Sequence, residues 1–274
     1  MTNDVSLKAK IRNISKTKGI SAQALLQNYL MKHFLYRLSL SEYKDKFVLK
    51  GGMLIASIIG IEHRTTMDMD ITLMNLPLAE ELIKQAFESI CNIKVDDGIS
   101  FKLSRIDSIR DDDKYGGYRV SFCASYGRIN APMSMDISTG DIITPGASKQ
   151  RFNDGINDDI VFELWSYSIE TVLAEKIETI LSRGIENTRI RDFYDVFMLL
   201  GYDYDKITFD RAFKSTACHR NSYDKIMNYH EIINEIAQNE IMKLRWKDYA
   251  SQFPYAKGIE FEDTLNAVIQ LLSS

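Results

Sequence analysis

The order of short apolar runs between residues 47 and 137 constrains the fold more than any other feature. Alternating or apolar runs separated by Gly, Asp and Pro predict strands, and they read FVLK, MDMDITL, ISFKLSRI, YRVSFCASY and MSMDIS. Helical spacing predicts two helices among them, at roughly 52–59 and 78–90, the second one after Pro77. This order predicts an α+β (mixed α/β) core in which helices flank a mixed or antiparallel sheet.

Helical segments are expected on both sides of this core. Before it, apolar residues recur at helical spacing from Ile20 to Leu38, with Ser21 as the expected N-cap. After it, residues 144–159 are rich in Gly, Asn and Asp and predict a loop, IVFELW predicts a strand, and the remainder predicts helices. A turn is expected at Asp111–Asp113. The expected organisation is an N-terminal helical region (1–45), a core (46–165) and a helical C-terminal domain (166–274).

Composition limits the class of protein. With 274 residues and 45% hydrophobic content, the chain can bury a large core. It contains no apolar run near the about 20 residues of a membrane helix, and no apolar secretory segment at its N-terminus. We therefore expect a cytoplasmic protein. The three cysteines are odd in number and far apart, so we expect buried free thiols rather than disulfides or a zinc site.

The charge of the chain is distributed unevenly. A net charge of -4 argues against a protein that coats nucleic acid through bulk positive charge. Basic side chains nevertheless form two local clusters, which could bind RNA phosphates or could be solvated helix faces. They are Lys8, Lys10, Arg12, Lys16 and Lys18, then Arg211, Lys214, Arg220 and Lys225. The four histidines are scattered and are interpreted as structural or surface residues, with His63 nearest the stretch described next.

The stretch RTTMDMDITL, residues 64–73, carries the clearest chemistry. Its alternation places Asp68, Asp70 and Thr72 on one strand face and apolar residues on the other. Two carboxylates about 4 Å apart repel by roughly 4 kcal/mol at an effective dielectric of about 20. A shared metal ion would explain this pairing, and Mg²⁺ is expected because it takes oxygen ligands completed by water and substrate phosphate. Alternatively, both aspartates simply point to solvent.

Two further features could complete such a site. Gly51 and Gly52 lie between the FVLK strand and a helix, where free backbone N–H groups and the helix dipole could hold a triphosphate. Asp136 lies in MSMDIS, and if this strand neighbours the Asp68–Asp70 strand, three carboxylates line one surface. Two metal ions about 3.5 to 4 Å apart could then clamp the attacking hydroxyl and the departing pyrophosphate, with Asp136 nearest the acceptor hydroxyl. A solvated Asp136 is the alternative.

The combined motifs resemble those of a known family. LKGG, RTTMDMD and MDIS, followed by AEKIETILSR and RIRDFYDVFML, are similar to the AbiEii/AbiGii (MenT-like) toxin nucleotidyltransferases of the polymerase-β-like superfamily. The resemblance spans about residues 47–200. It implies an Mg²⁺-dependent enzyme that transfers a nucleoside monophosphate from GTP or a pyrimidine triphosphate to tRNA 3′ ends. It also implies a monomeric toxin of an abortive-infection, antiviral toxin-antitoxin system whose antitoxin is a repressor that need not bind the toxin.

The resemblance also implies roles for particular residues. Gly51 and Gly52 would form the phosphate turn, and Asp68 and Asp70 would bind Mg²⁺. Two neighbours would border that site, namely Arg64 and Thr66.

Two residues downstream receive roles by the same resemblance. Lys176 would face nucleotide phosphates or developing charge, and Asp192 would position Lys176 or the nucleotide. From the residues alone, Lys176 could instead extend along a core helix with its charge in water. Asp192 could simply pair with Arg189 or Arg191.

The chain departs from the family pattern at Met53. The family normally has Ser or Thr there, so a hydroxyl contact to the terminal phosphate is missing. Backbone N–H groups near Met53, or the hydroxyl of Ser57, could replace it. This departure leaves open an alternative function, a GTP-binding regulatory protein without transferase activity.

Overall fold

The computed structural model describes residues 4–109, 116–156 and 160–273. It divides into two compact units, the first formed by residues 1–141 and 148–166, and the second by residues 142–147 and 167–274. The helices that precede residue 46 thus belong to the same unit as the core strands. The turn expected at Asp111–Asp113 lies outside the described residues.

The first unit follows the strand and helix order that the sequence predicts. Its helices are α1 (Asp4–Lys18), α2 (Ala22–Leu40), α3 (Gly51–Ile59) and α4 (Glu80–Cys91). Its strands are β1 (Phe47–Lys50), β2 (Met69–Leu73), β3 (Ile99–Ile109), β4 (Gly117–Tyr126), β5 (Ile129–Ser138), β6 (Ser148–Asn153) and β7 (Val161–Ser166).

All seven strands form one mixed sheet in the order β3-β4-β5-β2-β1-β7-β6. The pairs β2–β5 and β1–β7 are parallel, and the other four are antiparallel. The mixed sheet with its helices confirms the predicted fold class. The parallel β2–β5 pair is the arrangement that brings the strand of Asp70 beside the strand of Asp136.

One face of the sheet is buried and the other is open. In β4 and β5, buried apolar side chains such as Phe122 and Met135 alternate with half-exposed or exposed ones, as expected for a sheet covered on one side. Helices α2, α3 and α4 contact the strands, and the ring of Phe34 on α2 lies 4.6 Å from that of Phe122. The half-buried side chains of Asp70 and Asp136 lie on the opposite, open face.

Buried polar contacts join α2 to the segment before β3. Arg37 on α2 donates to both carboxylate oxygens of Asp97, at 2.9 and 2.8 Å, and His33 Nδ1 lies 2.7 Å from the same carboxylate. These partners hold the pKa of Asp97 far below its usual value, although burial alone would raise it. His33 is therefore structural, as the sequence suggested.

Several local predictions were wrong. The predicted loop at 144–159 contains β6, an edge strand whose polar residues are mostly exposed, so it lacked an apolar signal. The side chain of Met67 is exposed rather than on the apolar face, because β2 begins only at Met69. Ser21 is the N-cap of α2, as predicted, although its side chain makes no capping hydrogen bond.

The expectation for the cysteines was half right. All three thiols are free, but Cys91 and Cys123 are half-buried and Cys218 is exposed. Cys123 alternates with the buried Phe122 and Ala124 along β4, so its side chain lies on the open face.

The second unit is helical. Its helices are α5 (Ile169–Arg183), α6 (Arg191–Leu199), α7 (Lys206–His219), α8 (Tyr223–Ile226), α9 (Tyr229–Gln238), α10 (Glu240–Gln252) and α11 (Phe261–Ser273). The apolar stripe on α5 is fully buried and comprises Leu173, Ile177, Ile180 and Leu181. Ser168 caps α5 by accepting a hydrogen bond from the Thr171 N–H. Among the helices of the described residues, none has both the length and the apolar character needed to cross a bilayer.

Candidate active site

The Gly-Gly turn packs directly against the second aspartate of the RTTMDMDITL stretch. Gly51 begins α3 with φ of 66°, a backbone conformation that side chains rarely adopt. A Cβ at Gly51 would lie 2.1 Å from Asp70 Oδ2. A Cβ at Gly52 would lie 2.9 Å from Thr66 Oγ1 and 3.0 Å from Arg64 Nη2. The two glycines therefore allow the backbone to approach the three side chains that the sequence placed around this site.

Asp70 is held in an electrostatically unfavourable position. Burial raises the pKa of its carboxyl group, and the negative charges of Asp136 and Asp68 act in the same direction. Lys50 and the backbone N–H of Gly52, which donates to the carboxylate, oppose this shift. A cation at the ionised Asp70 would relieve both the burial and the repulsion.

Asp68 lies just before β2 and is exposed. The hydroxyl of Thr66 forms hydrogen bonds with both backbone groups of this residue. It accepts from the Asp68 N–H at 3.3 Å and donates to the Asp68 carbonyl at 3.2 Å. Arg64 is buried and donates to the Thr65 carbonyl at 2.5 Å. Arg64 and Thr66 thus shape the segment that presents Asp68.

Charged residues form a row across the open face. Lys50 pairs in register with Asp70, Asp70 with Asp136, and Asp136 with Arg119 on β4. The strand of Asp136 is thus the direct neighbour of β2, as three carboxylates on one surface require. Both oxygens of Asp136 accept from Arg119, however, at 2.7 and 2.6 Å.

Lys50, at the other end of this row, forms an ion pair and a hydrogen bond of its own. Its Nζ donates to Ser138 Oγ at 2.8 Å and to Asp141 Oδ2 at 2.6 Å. Burial alone would raise the pKa of Asp141, but Lys50 and the hydroxyls of Thr72 and Ser138 lower it to about 2. Lys50 and Asp141 thus tie the end of β1 to the segment after β5.

The residues present suit an open site for one divalent cation better than a site closed entirely by protein ligands. Across the described residues, no group of three or more His, Cys, Asp or Glu side chains is arranged to hold a metal ion. Within the same residues, Asp68 and Asp70 form no ion pair, whereas Asp136 is bound by Arg119. Two carboxylates completed by water and substrate phosphate are a usual environment for Mg²⁺.

The side chain of Met53 points into the core. It is fully buried, and its Sδ accepts from Asn28 Nδ2 at 3.4 Å. The side chain therefore cannot contact a ligand on the open face, and only the backbone at this position remains for a phosphate. The hydroxyl of Ser57 donates to the Leu54 carbonyl at 2.6 Å, so it is already used within α3.

In the second unit, Lys176 and Asp192 meet in a buried ion cluster. Lys176 Nζ lies 2.7 Å from Asp192 Oδ1 and 2.7 Å from Asp195 Oδ2, and Arg189 Nε lies 2.8 Å from Asp192 Oδ2. The alternative that Lys176 keeps its charge in water is wrong, because the side chain is buried between two carboxylates. Asp192 does pair with Arg189, as the residue-based alternative proposed, but Lys176 is its partner as well.

Sequence reasoning missed Asp195, Arg119 and Asp141. Asp195 had a signal, since it follows Asp192 by three residues and so shares its helix face. Arg119 and Asp141 had none, because their charged partners, Asp136 and Lys50, lie on other strands.

Some residues of the two basic clusters form ion pairs within the chain. Arg220 pairs with Glu178 at 2.6 Å and with Glu175 at 3.2 Å, and Lys18 pairs with Glu62. Lys8, Arg12 and Lys16 on α1 are exposed.

Most of the chain matches a known protein family. Residues 33–267 match a family model described as "Nucleotidyl transferase AbiEii toxin, Type IV TA system". The protein is thus of the nucleotidyltransferase class. More specifically, the chain belongs to the AbiEii toxin family of type IV toxin-antitoxin systems, which confirms the resemblance seen in the motifs.

Solved structures show a weaker similarity. JHP933 from Helicobacter pylori is 16% identical with a TM-score of 0.49, over 93% of this chain and 92% of that chain. An antigenic nucleotidyltransferase-like protein from Paracoccidioides brasiliensis is 15% identical with a TM-score of 0.41, over 70% and 89%. At such scores these similarities establish no activity. No curated protein matches the sequence.

Proposed function

We propose that this toxin transfers a nucleoside monophosphate from a nucleoside triphosphate to an acceptor hydroxyl and releases pyrophosphate. The acceptor hydroxyl loses its proton to water as its oxygen forms a bond to the α-phosphorus; the bond from that phosphorus to the α–β bridging oxygen breaks, and the departing pyrophosphate carries the bonding electrons. The single observation that carries the proposal is the contact of Asp70 with the Gly51–Gly52 turn, including the hydrogen bond from the Gly52 N–H.

Each part of this site has a proposed role. Asp68 and Asp70 would hold Mg²⁺, which when bound would neutralise phosphate charge. The N–H groups that begin α3, other than that of Gly52, which donates to Asp70, would bind the triphosphate together with the helix dipole. In the second unit, Lys176 would face phosphate oxygens and Asp192 would position Lys176, as the family resemblance implies; the 2.7 Å ion pair between them supports the positioning.

The substrates that we propose rest on the family resemblance rather than on geometry. We propose GTP or a pyrimidine triphosphate as donor and tRNA 3′ ends as acceptor. We further propose that the protein acts as a cytoplasmic monomer in abortive infection, alongside a repressor antitoxin that need not bind it. Family membership supports the toxin role.

The proposal is tested by incubating the full chain with each α-radiolabelled nucleoside triphosphate, Mg²⁺ and total tRNA. Label should appear on RNA and should disappear when EDTA removes the metal. Asp70→Asn or Asp68→Ala should lower the rate by about a thousandfold, since several kcal/mol of charge stabilisation would be lost. Asp210→Asn alters an exposed helix aspartate that pairs with Lys206 and should retain the rate. Loss of label with all three variants would contradict the assignment.

A nucleotide-binding regulator is the second candidate, and the buried Met53 favours it. Because the family hydroxyl is replaced by a core thioether, the terminal phosphate has one contact fewer. Nucleotide binding by the full chain without incorporation of label into any RNA would support this function over transfer.

A further inference from the structure

Arg119 is bound to Asp136, the carboxylate at which the sequence leads us to expect a second metal ion. Its Nε and Nη2 donate to the two oxygens of Asp136, at 2.7 and 2.6 Å, in the paired geometry that a guanidinium group favours with a carboxylate. The sheet register holds the two residues opposite each other on antiparallel strands, so the contact follows from the backbone pairing.

The charges on the open face divide into two groups. Asp136 has a cation on both oxygens, and Asp141 has Lys50. In the part of the chain that the structure describes, Asp68 and Asp70 form no ion pair. Lys50 and Arg119 act on this pair only from a distance, so a single divalent cation held by Asp68 and Asp70 would be their direct counter-charge. A second one at Asp136 would have to displace Arg119 and would repel it, because the guanidinium group stays charged at any working pH.

We infer that Arg119 takes the place of a second divalent cation, so that the toxin binds one such ion through Asp68 and Asp70 in its nucleotide complex. This inference rests on the proposed function, because it assumes that Asp68 and Asp70 hold a metal. Arg119 acts through Asp136 and is therefore a positioning residue.

The inference predicts a change in metal stoichiometry. Equilibrium dialysis of the full chain against radioactive Mn²⁺ and a saturating α,β-methylene nucleoside triphosphate counts only the ions that the protein retains. The wild type should retain one Mn²⁺ per chain, and Arg119→Gln should retain two because Asp136 becomes available. The double variant R119Q/D136N should return to one.

Arg105 provides a matched control on the neighbouring strand. Its Nε lies 2.7 Å from Asp107, and both side chains are exposed. The double change R105Q/D107N removes this charge pair without leaving Asp107, the register partner of Arg119, unpaired, and should leave the count at one. Arg119 is itself half exposed, at 54%, so its replacement should not disturb the core, and thermal unfolding verifies this.

Other counts would overturn the inference in distinguishable ways. Two ions in the wild type, or one in Arg119→Gln, would show that Arg119 does not replace a cation while leaving the proposed function intact. A wild-type count no higher than that of Asp70→Asn would overturn both the inference and the assignment of Asp70 as a metal ligand.

Discussion

Gly51 shows how one residue can couple backbone geometry to the chemistry of the site. Its positive φ allows the chain to turn from β1 into α3, and the absence of a side chain leaves room for the Asp70 carboxylate. Any larger residue would have to displace the carboxylate that we propose as a metal ligand. The conformational and the functional demands on this position are therefore separable by experiment.

Gly51→Ala can be compared with Gly19→Ala, because Gly19 has nearly the same φ, 67°, and no heavy atom within 4 Å of its added Cβ. Both variants should lose about 1 kcal/mol of stability from the backbone conformation. Only Gly51→Ala should also displace Asp70 and lower nucleotide transfer, by about a hundredfold. Urea unfolding and the labelled-nucleotide assay measure the two effects. Equal activities in the two variants would contradict the close contact with Asp70.

At the scale of elements, the ion cluster of Lys176 connects α5 to α6. Two buried carboxylates on α6 face one ammonium group from α5. Burial of such charges is tolerated only when they are paired. The cluster therefore holds these two helices together, in addition to the role in transfer that we propose. Stability therefore depends on the side chain to which we also assign a role in transfer.

Lys176→Met should lower the free energy of unfolding by about 3 to 5 kcal/mol, since Asp192 and Asp195 would lose a buried cation. Lys243→Met is the control, because Lys243 pairs with Glu240 at 2.8 Å on an exposed helix surface. Exposed pairs contribute less than about 1 kcal/mol. Urea unfolding of both variants gives the comparison. A cost for Lys176→Met as small as that of the control would show that the cluster is not stabilising.

At the scale of the whole molecule, its carboxylates respond to pH in opposite directions. The pKa of Asp141 is lowered on folding, so its contribution is complete above the unfolded value near 4 and is lost as the pH falls toward 2. Asp97 contributes in the same direction. The pKa of Asp70 is raised, so its ionisation costs stability as the pH rises above the unfolded value.

The wild type should therefore lose about 2 kcal/mol of stability through Asp141 between about pH 4 and pH 2. Asp141→Asn should be less stable at neutral pH and should show a shallower acid dependence. Unfolding followed at a series of pH values measures both slopes, with Asp107→Asn as the exposed control. An unchanged acid slope in Asp141→Asn would exclude the contact with Lys50 as its source.

The sequence by itself determined the order of strands and helices in the core, because alternation and helical spacing are local properties of the chain. It also pointed to the Gly-Gly turn, to Asp68 and Asp70, and to the family that the comparison confirmed. Their roles in transfer remain predictions. The polar edge strand β6 escaped notice because burial of an apolar face, the main local signal, is weak at a sheet edge.

Only the tertiary structure decided which residues share the site. Arg119 meets Asp136, and Asp136 lies beside Asp70, because β5 is inserted between β4 and β2 in the sheet. Strand order is set by the packing of the whole first unit, so residues that are distant in sequence become neighbours without any local signal. For the same reason, the ion pair between Asp136 and Arg119 could be recognised only in the folded chain.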